Sequence, residues 1–340
     1  MKEQVFEEIG EEWLSYLKRG FETEDPESHT AFWKKRLEIA RPSDSEGRIN
    51  RDVLENFRGS RVSVGDNPTP ARGGLSRFGM KRGERAMLKR CLQAIRNDGD
   101  ESLLRKYPSH PAGNPLTFDW KGVPVTHRWI KHIHHLGMVN RVLGSRLPQG
   151  FALLDIGSSY GIFSYLMFRE YPGSHHILVD LPNQLIFAHY YLRSCFPEAR
   201  IAGPAELQKY GSITRDVVEN YDFILLPTDI YEKLAADSVD LVTSFACLGE
   251  LKRIYFDSYV KSPPFRTARY LYTANPVDKL AGMRDAEVCV LDYPILDAAK
   301  RLFFGISPVF LFPYLPPSPH RLFGYKLWWH DPFFECITEI

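Results

Sequence analysis

Apolar positions recur with two different rhythms along the chain, and the change between them falls near residue 151. In the first twenty residues Val5, Ile9, Trp13 and Leu17 stand four apart, which predicts one face of an amphipathic helix ending at Gly20. Pro26 opens a second helical stretch carrying Phe32, Trp33, Leu37 and Ile39. From Arg41 to Gly79 periodicity disappears among Gly, Pro, Ser, Asn and Arg, the texture of a long loop. Residues 83–107 read as helix again, "HPAGNPLTFDWKGVPV" as a turn-rich connector, and Thr126 as the N-cap of a helix through about Leu143.

From Phe151 onward, short continuous apolar runs alternate with helical stretches. The runs are "FALLDI", "HHILVDL", "YDFILLP", "VDLVTSF" and "ARYLYTAN", with helices predicted up to Tyr171, over Asn183–Phe196 and around 249–260. Unbroken apolar strands separated by helices are the pattern of a parallel sheet covered on both faces. The tail segments "PVFLFPYLPP" and "HRLFGYKLWWH" read as late strands joined by a proline-rich loop. The expected fold is α/β: a doubly wound, Rossmann-like sheet over 126–340, preceded by a helical cap over 1–125.

Composition narrows the function classes. Of 340 residues, 44% are hydrophobic and 25% charged, as in an ordinary globular chain, and a net charge of +1 offers no field for nucleic acid or membrane. Five scattered cysteines without a CxxC pair favour a reducing, cytoplasmic setting and argue against a disulfide framework or zinc site. No run approaches the roughly 20 apolar residues of a membrane span. A homo-oligomer stays open.

The chemistry centres on "LLDIGSSYG", Leu153–Gly161. A turn after the first strand of such a sheet must let backbone approach a ligand, so Gly157 and Gly161 fit. Their G-x-x-x-G spacing lacks the dinucleotide fingerprint and the Lys-Ser/Thr ending of a phosphate loop. Asp155, at the end of the first strand, would repel phosphates and favour a cationic ligand. Asp180 ends the second strand 23 residues after Gly157, near the spacing at which a carboxylate reaches ribose hydroxyls. Together the two acids describe a pocket for an adenosine bearing a charged amino-acid tail, S-adenosylmethionine.

These residues resemble class I S-adenosylmethionine-dependent methyltransferases. "LLDIGSSYG" is similar to their first motif, with Ser159 where the middle glycine usually stands, and "VDLPNQLIFAHYYL" to the second. "DLVTSFACLGEL", "YLYTANPV" and Gly113-Asn114-Pro115 resemble a narrower group, sugar O-methyltransferases found with bacterial polysaccharide genes. The resemblance implies that Asp155, Gly157, Tyr160 and Gly161 line the methionine end of the cofactor. Asp180 and Leu181 would hold ribose and the adenine edge, and Pro227 and Ser244 would stand near adenine and sulfonium.

Transfer of a methyl group to a sugar hydroxyl needs alignment and a base. Glu250, six residues beyond Ser244, is the first candidate. "THRWIKHIHHLG" offers His134, which shares a helical face with His127 and Lys131; this helix is a source of base or substrate ligand, or simply a polar face. No metal is expected there because no carboxylate is interleaved. His320, in "LPPSPHRLF", is a further candidate base. "KSPPF" at 261–265 resembles the amino-methylating motif but comes too late after the fourth strand, and reads as loop. The aromatic end from Phe310 to Trp329 fits stacking on sugar rings or core packing, and the arginines of 41–90 fit a nucleotide-sugar phosphate or a solvated loop. The expected activity is O-methylation of a sugar or other small acceptor. A phenolic acceptor, or a non-catalytic partner-binding subunit, are the alternatives.

Overall fold

The computed structural model describes residues 2–19, 41–44, 46–59, 66, 82–278, 287–295, 300–310, 313–314, 321–322, 325–326, 329–330 and 332–340. Eight strands form one sheet: β1 Ala152–Ile156, β2 His175–Asp180, β3 Ile201–Ala202, β4 Phe223–Pro227, β5 Leu241–Phe245, β6 Tyr270–Pro276, β7 Lys300–Ile306 and β8 Phe333–Glu339. Their spatial order is β3-β4-β2-β1-β5-β6-β8-β7. Every pair is parallel except those of β8, which runs antiparallel between β6 and β7. The chain winds outward from β1 in both directions, so β1 and its neighbours β2 and β5 form the topological switch point, and sheets of this kind bind ligands there, outside the carboxyl ends of the strands.

The apolar runs form strands because both faces are covered. Every residue of β1, β4, β5 and β6 is buried. Alternate side chains enter two apolar layers, Leu153 and Leu241 on one face and Leu154 and Val242 on the other. The first layer is closed by α6, His127–Val142, whose N-cap Thr126 accepts a hydrogen bond from the Trp129 N–H at 3.1 Å. That places the helix start where the sequence predicts it. The predicted first helix is α1 Lys2–Glu12 followed by α2 Leu14–Arg19, with Trp13 between them. Trp13 is fully buried, and its indole N–H donates to His189 Nδ1 at 3.1 Å. It belongs to the same apolar layer as α6 and the sheet, so the N-terminal helices and the sheet share one core.

Several expectations are corrected. Within 41–79 a short helix forms, α3 Arg51–Asn56, started by an Asn50 side-chain cap. The predicted 83–107 helix is two, α4 Arg82–Asn97 and α5 Glu101–Lys106, broken by Asp98–Asp100. "KSPPF" enters a short helix, Pro263–Thr267, since proline suits a first helical turn. The late strands of the sheet are β7 and β8, not the proline- and tryptophan-rich strings, among which only two-residue strands are described. The second predicted helix, from Pro26, falls outside the described residues. Among the described residues no helix is long and apolar enough to cross a membrane.

Candidate active site

The turn after β1 is bent by left-handed residues at three alternate positions, Gly157 (φ 80°), Ser159 (φ 54°) and Gly161 (φ 79°). Glycine at 157 is obligatory on a second ground: a Cβ there would stand 2.3 Å from the Cβ of Cys247. Ser159 has no such freedom, and a left-handed non-glycine residue costs roughly 1–2 kcal/mol. Its surroundings hold it in place. The Ser159 N–H donates to Asp180 Oδ2 at 2.7 Å, and its hydroxyl accepts from the Arg128 guanidinium at 2.8 Å. Serine thus adopts the glycine-like conformation that the resemblance requires, and its hydroxyl supplies a contact that glycine lacks. Gly161 then N-caps the helix Ile162–Glu170.

Two carboxylates flank this turn. Asp155 is buried in β1, and its Oδ1 accepts the Thr243 hydroxyl at 2.7 Å. Burial pushes its carboxyl up to about 7; the Thr243 bond opposes that shift and the nearby charge of Asp180 adds to it. Asp180 accepts N–H groups from both sides, Ser159 on Oδ2 and Leu181 on Oδ1, each at 2.7 Å. Burial still pushes it up to about 6, against those two donors and the charge of Arg128. Among the described residues neither acid is in an ion pair. An ionised carboxylate in such a place favours a cation brought from outside. Leu181 N-caps the helix Pro182–Cys195, and Pro227 ends β4 directly beside Asp180.

The third wall follows β5. Ala246 is also left-handed, at φ 52°, so the segment 246–250 begins with a strained residue. Asn275 of β6, fully buried, holds it. Its Oδ1 accepts the N–H groups of Cys247 at 3.0 Å and Gly249 at 3.2 Å, while Nδ2 donates to the Ser244 carbonyl at 3.0 Å and Thr273 Oγ1 at 2.5 Å. Ser244 is fully buried, and its Oγ accepts from the Leu248 N–H at 3.4 Å. Glu250 lies buried on the short helix Leu248–Glu250. The Cys247 thiol stands well above its ordinary range through burial and through the charges of Asp180, Glu250 and Asp155. The sequence reading gave Cys247 no place in the site, yet a Cβ on Gly157 of the turn would meet its side chain.

Other candidates are placed elsewhere. Tyr160 is fully buried, and its hydroxyl donates to Asp66 Oδ1 at 2.6 Å, so its side chain faces inward and only its backbone belongs to the turn. His134 stands between two acids: Nδ1 lies 3.1 Å from Asp98 and Nε2 3.0 Å from Glu335. Against the cost of its own burial, those two acids hold it up to about 9, protonated and without a lone pair to offer. Carboxylates distant in sequence do join these histidines. His134, His135 and Glu335 bring ligand-type atoms within 4.8 Å of one another. Hydrogen bonds account for that cluster, because Glu335 also accepts from Tyr272 and lies 3.3 Å from His135. Burial and Lys131's neighbours act differently at the start of α6: Lys131 is buried over the Phe310 ring at 4.4 Å, and burial pulls its amine down to about 8. His320 lies outside the described residues.

No family model matches the chain, and no curated protein sequence matches it. Among solved structures it is similar to TehB from Haemophilus influenzae, at 10% identity over 61% of each chain with a TM-score of 0.40. It is similar to magnesium protoporphyrin IX methyltransferase from Synechocystis PCC 6803 with bound SAH, at 13% identity over 62% of this chain and 83% of that one, TM-score 0.37. YcgJ from Bacillus subtilis aligns at 11% identity over 60% of this chain and 97% of its own, TM-score 0.39. The chain spans less than two thirds of TehB. Likenesses this distant carry no functional argument, and the function is argued from the site's own residues.

Proposed function

We propose that this chain is an S-adenosylmethionine-dependent O-methyltransferase acting on a hydroxyl of a sugar or glycan precursor. The observation that carries the cofactor is the pair Asp155 and Asp180: a buried and a half-buried acid at neighbouring strand ends, with raised affinity for protons and no ion pair among the described residues. A ligand with a sulfonium and an ammonium group supplies the missing positive charge. The left-handed turn at Gly157–Gly161 fits a ligand that lies close to backbone. In this reading Asp155 and the backbone of Gly157, Tyr160 and Gly161 hold the methionine end. Asp180 takes the ribose hydroxyls, Leu181 and Pro227 border the adenine, and Ser244 stands toward the sulfonium.

When bound, S-adenosylmethionine supplies an electrophilic methyl group on sulfur. The chain's own task is to orient the acceptor and receive its proton. Glu250 is assigned as the base, on a segment fixed by Asn275 that follows β5. The sugar acceptor rests on the resemblance of the strings around β5 and β6, and the cytoplasmic setting on cysteine usage. The test is methyl transfer from labelled cofactor to a panel of monosaccharides, nucleotide sugars and phenols. Wild type should methylate a sugar hydroxyl, and Glu250→Gln should lower kcat by about 10²–10⁴-fold with cofactor affinity kept. Preferred transfer to a phenol, or full activity in Glu250→Gln, would overturn the acceptor or the base respectively.

A further inference from the structure

One buried side chain outside the sheet ties the N-terminal part of the protein to the turn after β1. Asp66 is 2% exposed and Arg58 1%, and they form an ion pair with Nε at 3.0 Å and Nη2 at 2.7 Å from Asp66 Oδ2. The guanidinium is also collared by the Gly113 region: Nη1 donates to the carbonyls of His110 and Ala112, and Nη2 donates to Ser109 Oγ at 2.7 Å. The Arg58 N–H donates to the Gly113 carbonyl at 2.9 Å. Gly113 is itself left-handed, at φ 77°, and a Cβ there would stand 2.4 Å from the Phe57 ring. Gly113, the first residue of the Gly-Asn-Pro string singled out in the sequence, is therefore part of the seat of this arginine.

From that seat Asp66 reaches the turn along two routes. Its Oδ1 accepts the Tyr160 hydroxyl at 2.6 Å. Its Oδ2 also accepts from the α6 N-cap Thr126 at 2.9 Å, and its backbone carbonyl accepts the Arg128 N–H at 3.0 Å. Arg128 in turn donates to Ser159 Oγ, and the Ser159 N–H donates to Asp180. Both neighbours of the strained Ser159, its successor in the chain and its side-chain partner, are thus held by one residue, Tyr160 by the Asp66 carboxylate and Arg128 by the Asp66 backbone carbonyl.

We propose that Asp66 is a positioning residue for the cofactor: it fixes the left-handed turn at Ser159 so that the 157–161 backbone and Asp180 are set before the ligand arrives. A binding site ordered in advance loses less free energy on binding. The inference rests on the reading of that turn as the S-adenosylmethionine site. It makes the N-terminal part of the chain a component of the site, not an appendage to it.

The experiment joins local hydrogen exchange with calorimetry on the full chain. Tyr160→Phe cuts only the link from Asp66 to the turn, and Asp66→Asn removes the charge that organises both routes. In the cofactor-free protein, each variant should speed amide exchange across 157–161 by about tenfold or more, while exchange in β4 and β6 stays at the wild-type rate. In titrations with S-adenosylmethionine each should weaken binding by about tenfold. The double variant should be no weaker than Asp66→Asn alone, since the effects share one path. Folded variants with wild-type exchange at 157–161 would overturn the inference, as would accelerated exchange with unchanged affinity. Wild-type protein that shows the exchange effects in its variants but binds no cofactor would refute the cofactor reading and keep Asp66 as the anchor of the turn alone.

Discussion

Acids withdrawn from solvent stand at two places in the same sheet, and the protein treats them in opposite ways. Glu335, in the middle of β8, lies against His134 and accepts from Tyr272, and its carboxyl is held well below the ordinary range by the His134 charge and by hydrogen bonds from both histidines. Asp155 and Asp180, at the ends of β1 and β2, have hydroxyl and N–H donors but no ion pair among the described residues, and burial raises them to about 7 and about 6. The backbone follows the same division. Ser159 and Ala246, two of the non-glycine residues in left-handed conformation, stand at the second group. A buried charge that is fully paired is part of the framework; one left without its cation, beside strained backbone, marks where a charged ligand belongs.

The comparison breaks first at Glu335. Glu335→Gln removes the buried one of the two acids that hold His134 and should cost about 3–5 kcal/mol in chemical denaturation. Asp155→Asn, by contrast, removes a buried charge with no counterion and should leave the cofactor-free protein as stable as wild type, or more so, at alkaline pH. A large loss there would place Asp155 with the framework.

The two groups should also respond to pH with different signs. The raised carboxyls of Asp155 and Asp180 favour the folded state fully below their ordinary value of 3.8, and that contribution is lost as pH rises through about 6 and about 7. His134 favours folding fully below 6.5 and loses its contribution as pH rises through about 9. Glu335 contributes above its ordinary 4.5, and its contribution is lost on acidification. Denaturation profiles of wild type and Glu335→Gln should therefore converge as pH rises from about 6.5 to about 9, the range in which His134 loses its proton. Parallel profiles over that range would contradict the pairing. The smallest effect is expected at Ser159→Gly: relief of strain and loss of the Arg128 contact should offset one another to within about 1 kcal/mol in thermal melts.

What the sequence disclosed follows from the range of the interactions. The strands β1, β2, β4, β5 and β6 were legible because full burial leaves continuous apolar runs. The positions of Asp155 and Asp180 at strand ends and of Gly157 and Gly161 in the turn were legible because they are set by local spacing after those runs. β8 was missed because Glu335 interrupts its apolar pattern, and the histidine that offsets it lies 201 residues away. Asp66 escaped for the same reason, with Tyr160 at a separation of 94. Asn275 and Cys247 left no local signal, since their importance arises only where β6 lies beside the end of β5. The helical face of His134 was legible, whereas its partners Asp98 and Glu335 were not, since they lie 36 and 201 residues away in sequence.

The central claim is that Asp155 and Asp180 await a cationic cofactor. It is tested most directly by calorimetric titration of S-adenosylmethionine at about pH 6.5, in buffers of different ionisation enthalpy, into wild type and Asp180→Ala. The account predicts micromolar binding with net proton release, as the ligand's charge drives both carboxyls to ionise, and weakening by about tenfold or more, roughly 1.4 kcal/mol, in the variant. Absence of binding by folded wild type, or binding without proton release and indifferent to Asp180, would contradict it.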